Sequence, residues 1–312
     1  MKKILLITTN DIKNVKLPSR TLSGFVDLGC RQFELDVAFL SLLGFYNTDF
    51  YPGRAYIEAL GMGLSPQEQI CASGIVASLS EDSFLDRRIM INRDSLELIA
   101  EMVDGVEIDG VHFSVTPAEG GLMILLKGDN LTERVSPNYS SSARGSVGQV
   151  IAFDEDSKKT ASVLNRFITK THRNLNSANL GIEPKPNIIL IKSLGKSQSI
   201  VGLSPYKDKA VCISDSVVGR GVARFCRIVT ESKVPDRISD IFKKQNIVWI
   251  DTRNEKIDIS KLPEDVRIAV VSLGKEDFKM LTYPARVHLS GDFKMKKIIF
   301  EKNELLPWMI KS

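Results

Sequence analysis

The chain has 312 residues, of which 43% are hydrophobic and 26% charged, and its formal net charge is +4. These values describe a globular chain with room for one large domain or two modest ones, and they exclude a disordered one. No apolar run reaches the roughly eighteen residues of a membrane helix. Lys and Arg are scattered, without the basic stripe and interleaved aromatics of a nucleic-acid binder. Neither a membrane nor a nucleic acid is therefore an expected partner. The four cysteines, Cys30, Cys71, Cys212 and Cys226, show no CxxC spacing and read as buried free thiols of a reducing cytoplasm.

Met1-Lys2-Lys3 precedes a short apolar run from Ile4 to Thr9, which predicts a buried central strand rather than a signal peptide. Asn10-Asp11 follows. In an open α/β sheet, groups just past the carboxyl ends of strands line the ligand crevice, so Asp11 is a candidate metal or phosphate-side group, or else a cap or loop Asp. Thr21 to Leu28 allows a helix. Val37 to Leu43 is apolar and ends at Gly44. Tyr51-Pro52-Gly53-Arg54 then forms a turn into a predicted helix over Ala55 to Met62. Orphan N–H groups at that helix start, beside a guanidinium, make an anion site plausible on chemistry alone.

Ile70 to Leu79 predicts a strand, Arg93 to Val103 an amphipathic helix, and Val111 to Val115 with Gly121 to Lys127 a hairpin. Ser136 to Gly148 is rich in Ser and Gly and predicts a loop. Asp154 to Leu175 predicts a long helix, and Asn187 to Lys192 a strand. Strands follow at Ala210 to Ser214, Ile247 to Asp251, Arg267 to Leu273, Pro284 to Leu289 and Ile298 to Phe300, with helices at Val217 to Arg227 and Ile238 to Lys244. Alternating strands and helices at both ends, around a middle with a hairpin, predict a discontinuous α/β core with an inserted α+β domain.

The three histidines, His112, His172 and His288, have no zinc-ligand spacing. The chain has no GxSxG, GxxxxGK[ST] or GxGxxG motif. Arg54 and the pair Arg87 and Arg88 could cluster as a cationic pocket, or lie on a solvated face with ion pairs.

The order of LSLLGF (40–45), YPGRAYIEALGMGL (51–64), DRR (86–88), DEDSKKTASVLNRF (154–167), KPNIILIKSLGK (185–196) and AVCISDSVVGRGVAR (210–224) resembles that of the archaeal-type cofactor-independent phosphoglycerate mutases of the alkaline phosphatase superfamily. The resemblance implies an alkaline-phosphatase-like mixed or parallel sheet flanked by helices, with an inserted α+β cap. Core residues would be 1–62 with 202–312, and the cap 63–201. It also implies phosphoryl transfer through a phosphoserine, supported by two divalent cations, Mn or Zn, in a cluster of Asp and His ligands. Several positions depart from that pattern. Leu35 stands where the family places its nucleophilic serine, before Asp36. Asp11 is one position out of register with the family's first metal motif. Ser136-Pro137-Asn138 lacks the histidine of the cap's Asp-Pro-His stretch. Of the late ligands, Asp251 alone remains.

The expectation is thus a degenerate mutase-like protein without a catalytic residue. Arg54, Glu58, Arg87, Arg88 and Asn187 would form a substrate-side cleft for a phosphorylated or carboxylate metabolite. Asp11, Asp36 and Asp251 would be residual metal candidates, with no cofactor expected. A homo-oligomer, or a hetero-oligomer with a related protein, is the expected assembly. The competing expectation is an active metal-dependent mutase or related phosphotransferase.

Overall fold

The computed structural model describes residues 3–9, 15–16, 22–26, 35–43, 51–80, 83–86, 89–139, 147–197, 209–234, 238–252, 256–259, 262, 266–272, 279–283 and 299–300. They divide into two compact units, Met1–Tyr51 with Ile200–Ser312, and Pro52–Ser199. The first unit opens with β1 (Lys3–Thr9), β2 (Val15–Lys16), β3 (Leu22–Val26) and α1 (Leu35–Leu42). The second holds α2 (Arg54–Gly61), β4 (Ile70–Ser80), β5 (Ser83–Asp86), α3 (Arg93–Val103), β6 (Val106–Ile108), β7 (Val111–Ala118), β8 (Gly121–Lys127), α4 (Lys158–Ser177) and β9 (Ile188–Lys196). The chain then returns to the first unit with β10 (Ala210–Ser214), α5 (Val217–Phe225), β11 (Val229–Glu231), α6 (Ile238–Ile241) and β12 (Ile247–Thr252). It ends with β13 (Ile257–Asp258), β14 (Val266–Ser272), β15 (Lys279–Tyr283) and β16 (Ile299–Phe300).

The first unit is built on a sheet of order β11-β10-β12-β1-β14-β15-β3-β16. It is parallel from β11 to β14, and β15 turns antiparallel. Ile4 to Ile7 lie between β12 and β14 and are almost fully buried, as a continuous apolar run predicts for a strand covered on both faces. Leu5, Ile7, Val211, Ile213, Val248 and Ile250 share one core cluster. Each such side chain contributes roughly 1.5–3 kcal/mol when fully buried.

The helix expected over Thr21 to Leu28 is instead strand β3 across Leu22–Val26, paired antiparallel with β15 and parallel with β16. Gly24 weakens a helix there, and pairing with a strand some 250 positions later decides the outcome. The strand expected at 284–289 lies outside the described residues.

The second unit carries an antiparallel sheet of order β5-β4-β8-β7-β6, with β9 also bonded to β4. Alternation along β4 sends Ile70, Ala72 and Val76 to the core shared with α3 and α4, where Phe113 and Phe167 stack at 4.5 Å. Cys71 points to the other face, where it meets Met123 and the helix residues Ala55 and Ala59. That packing groups α2 with the second unit, so the boundary falls before Pro52 rather than after residue 62. Gly53 precedes α2 at φ 85, and a Cβ there would lie 2.3 Å from the Leu194 carbonyl oxygen. The turn into α2 is therefore pressed directly onto the backbone of β9, which only glycine allows.

Cys71, Cys212 and Cys226 are buried free thiols, and Cys30 lies outside the described residues. Burial alone pushes the Cys71 thiol up to about 12.

Candidate functional site

Parallel pairing places Ser214, Asp251 and Thr8 in one row across β10, β12 and β1, each the register partner of the next. The row lies at the carboxyl ends of the strands, where open α/β sheets hold their ligands. All three side chains are buried, Asp251 to 3% exposure. The Thr8 hydroxyl donates to Asp251 Oδ1 at 3.0 Å, and the Ser214 hydroxyl donates to Oδ2 at 2.8 Å. Trp249 Nε1–H donates to Thr8 Oγ1 at 3.1 Å, which orients the Thr8 hydrogen toward the carboxylate. Hydroxyl donors of this kind are what allow a charged carboxylate to stay buried.

α5 closes this row from above. Ser216 caps it by accepting from the Gly219 N–H at 3.2 Å, and Arg220 donates to the carbonyl oxygens of Ser214 and Asp215. A Cβ on Gly219 would stand 2.4 Å from Asp251 Oδ2 and 2.4 Å from Ser214 Oγ, so glycine lets the helix start reach the carboxylate. The partial positive charge of a helix N-terminus favours an anion there. Burial first, and then the charge of Asp251, push the Cys212 thiol well above its ordinary range.

Leu35 begins α1, and Asp36 in its first turn is buried to 2% exposure and accepts a short hydrogen bond from the Tyr51 hydroxyl. One turn further along, Phe39 sets its ring edge-on to Trp249 with centroids 5.0 Å apart. The helix that carries Asp36 is thereby anchored to the strand that carries Asp251.

Of the described residues expected to form a substrate-side cleft, Arg54 and Glu58 meet each other and Asn187 stands apart from them. Arg54 Nε donates to Glu58 Oε1 at 2.8 Å along α2, and both side chains are mostly buried. Asn187 stands just before β9, whereas the α2 turn meets Leu194 and Gly195 near the other end of that strand. At about 3.3 Å per residue the two ends are roughly 23 Å apart. The Asn187 amide is also engaged, accepting from the Leu79 N–H and donating to the Leu79 carbonyl, both at 2.9 Å. It extends the β ladder to β4 rather than facing a ligand beside Arg54. Arg87, Arg88 and Asp11 lie outside the described residues.

Asn138, at the position where the resemblance implies a histidine, is likewise structural. Its Oδ1 accepts from the Ile191 N–H at 2.7 Å, its own N–H donates to the Ile191 carbonyl, and its Nδ2 donates to Gly148. Asn165 makes a third such clamp on both backbone groups of Val150.

A two-metal centre requires several carboxylate or imidazole ligands around each ion. The described neighbours of Asp251 are hydroxyls whose hydrogens point at it, and no group of three or more His, Cys, Asp or Glu gathers among the described residues. The described side chains alone do not supply such a donor set. Sequence reading singled out Asp251 but missed Thr8, Ser214, Trp249 and Tyr51. A signal for the first two was available: LLITT, AVCIS and IVWID each end an apolar strand on a hydroxyl or carboxylate residue.

The chain matches the family model of 2,3-bisphosphoglycerate-independent phosphoglycerate mutase over residues 30–180. It is 30% identical over 217 residues to phosphoglycerate mutase 1 of that type from Methanocaldococcus jannaschii, a match covering 65% of this chain and 52% of the relative. A Methanococcus vannielii relative of the same description is 25% identical over 304 residues, with 92% and 70% covered. The chain thus spans about half the length of several of these relatives. In fold it is similar to the solved cofactor-independent phosphoglycerate mutase of Thermoplasma acidophilum, with TM-score 0.60, 20% identity, and 93% and 92% of the two chains covered. A Pyrococcus horikoshii protein gives TM-score 0.64 at 17% identity, with 90% and 87% covered.

Proposed function

Because this chain is a relative of the archaeal cofactor-independent phosphoglycerate mutases, we propose that it is a phosphoglycerate-mutase-like protein that acts by binding rather than by turnover. Leu35 carries the reading. It begins α1 directly before the buried Asp36, at the place where the resemblance puts a nucleophilic serine, and leucine has no atom that can accept a phosphoryl group. The row at Asp251 supports the same reading, since its carboxylate is engaged by hydroxyls of neighbouring strands. The ligand is a phosphorylated or carboxylate metabolite, or a protein partner. Three buried free thiols support a reducing, cytoplasmic setting, and no described helix is long and apolar enough to cross a membrane.

One observation favours a second reading, that of an active metal-dependent mutase or related phosphotransferase: the match to mutases over residues 30–180. Metal analysis of the purified chain, with a coupled phosphoglycerate mutase assay in added Mn²⁺, separates the two. The first reading expects no turnover and a melting temperature raised by 3-phosphoglycerate or by a protein partner. Two tightly bound Mn or Zn ions per chain, together with turnover, would overturn it.

A further inference from the structure

We propose that the helix layer of the second unit is a homotypic docking face, on which α3 of each copy lies over α4 of the other about a twofold axis parallel to the two helices. The inference goes beyond the function proposed above and holds whether or not the fold turns over a substrate. α3 and α4 pack side by side on the core that they share with the antiparallel sheet. They run in opposite directions. α3 starts just after Ile89, whose N–H bonds the Val76 carbonyl, and its cap Asp104 accepts from the Val115 N–H. Near the start of α4, Thr160 accepts from the Thr132 N–H beyond the end of β8, and further along His172 Nδ1 meets the carbonyl of Asn187, whose N–H bonds Ala77. Val76 and Ala77 are neighbours in β4, so the start of α3 and the last turns of α4 lie at the same end of the sheet.

The outer faces of the two helices carry opposite charge. α3 buries Leu96, Ile99, Ala100 and Val103 and exposes Asp94, Leu98 and Glu101, which follow one another at i, i+4 and i+7. Its one cation, Arg93, is held by Glu97 at 2.9 Å. α4 has five Lys or Arg and no Asp or Glu in its 20 residues, and it exposes Arg166, Lys170 and Arg173 at the same i, i+4 and i+7 spacing. Arg166 reaches Asp109 at the surface, while Asp94, Glu101, Lys170 and Arg173 join no ion pair among the described residues. Leu98, between the two acids, is 52% exposed.

These stripes select a second copy of the chain as the occupant. A twofold axis along the helices carries α3 of one copy across to α4 of the other at the same level. Asp94 then meets Arg173 and Glu101 meets Arg166, because the two acids and the two arginines are each seven residues, about 10.5 Å, apart on antiparallel helices. Leu98 lies between them over the methylenes of Lys170. The symmetry repeats every contact, so two acidic stripes meet two basic ones. A polyanion on α4 would find Asp94 and Glu101 beside its site, and a cationic partner on α3 would find Lys170 and Arg173. A second copy satisfies both helices at once, and unlike charges across the contact are what select it.

The contact is the length of α3, roughly 16 Å, by two helices about 10 Å wide, which is the low end of specific interfaces, so the dimer forms at micromolar concentration or above. Sedimentation velocity of the full chain, from low micromolar to near-millimolar concentration and at low and high salt, tests it. The expected result is a concentration-dependent dimer that high salt loosens. Lys170→Glu with Arg173→Glu weakens it about tenfold or more, and so does Asp94→Lys with Glu101→Lys, each by setting like charges opposite at both symmetric contacts. An equimolar mixture of these two double variants restores a dimer between unlike chains. In a mixture of isotope-labelled and unlabelled wild-type chain, carbodiimide joins Lys170 of one copy to Asp94 or Glu101 of the other. Circular dichroism melting confirms that the exposed substitutions leave the fold intact. A monomer across the whole range overturns the proposal. So does a dimer indifferent to either reversal, a mixture no tighter than its parts, or a wild-type dimer without those cross-links.

Discussion

The two units engage their polar side chains in different ways. The first gathers Thr8, Ser214 and Asp251 into one row and closes it with Trp249 and a glycine of α5. The second uses asparagines singly: half-buried Asn138 and Asn165 and buried Asn187 each hold the backbone of a segment distant in sequence, and Asn187 does so just before β9 begins. The contrast follows from sheet type. Parallel strands end together, and the residues at their carboxyl ends become neighbours whatever their separation in sequence. The edges of an antiparallel sheet have backbone groups to satisfy one by one, and an asparagine amide matches a peptide in both donor and acceptor.

Two substitutions and one change of pH test that contrast. Asp251→Ala is expected to have the largest effect, about 3 kcal/mol of lost stability, because it leaves two buried hydroxyls without their acceptor and opens a cavity under Gly219. Urea unfolding measures the loss, and a red shift of Trp249 emission would place it at the row. Hydrogen exchange should quicken together in β1, β10 and β12. Asn187→Asp is expected to cost about 2 kcal/mol, since a carboxylate oxygen would face the Leu79 carbonyl where an amide hydrogen now sits. Here faster exchange should stay local, at Ala77 to Leu79. If it spread through the whole unit, the clamps would be cooperating and the contrast would fail.

The smallest expected effect is at Asp154. The Ser157 hydroxyl bond first, then the Ser157 N–H and Arg134, hold its carboxyl below the ordinary 3.8. A depressed folded value means the contribution to the α4 start is present above 3.8 and is lost as pH falls through the lower folded value. Amide exchange at Ser157 and Lys158 should therefore quicken in acid, as the carboxyl is protonated.

Most long elements could be read from periodicity. Leu96, Ile99, Ala100 and Val103 mark α3 one turn apart, and the runs at Ile4 to Ile7 and Ile247 to Ile250 mark buried strands. Short strands such as β6 and β11 could not, because three residues carry too little pattern. β3 was misread because its strand character comes from β15, not from its own residues.

The candidate site divides along the same line. That Leu35 cannot be a nucleophile and that Asp251 closes an apolar strand are legible in the amino-acid order, since both follow from side-chain chemistry and local pattern. What those residues meet came from long-range strand pairing. Register across β10, β12 and β1 turned Asp251 into the acceptor of two hydroxyls, one of them 243 positions away. The length of β9 set Asn187 apart from Arg54. Spacing along the chain carries no information about such neighbours, because strand pairing rather than sequence distance fixes which side chains share a row.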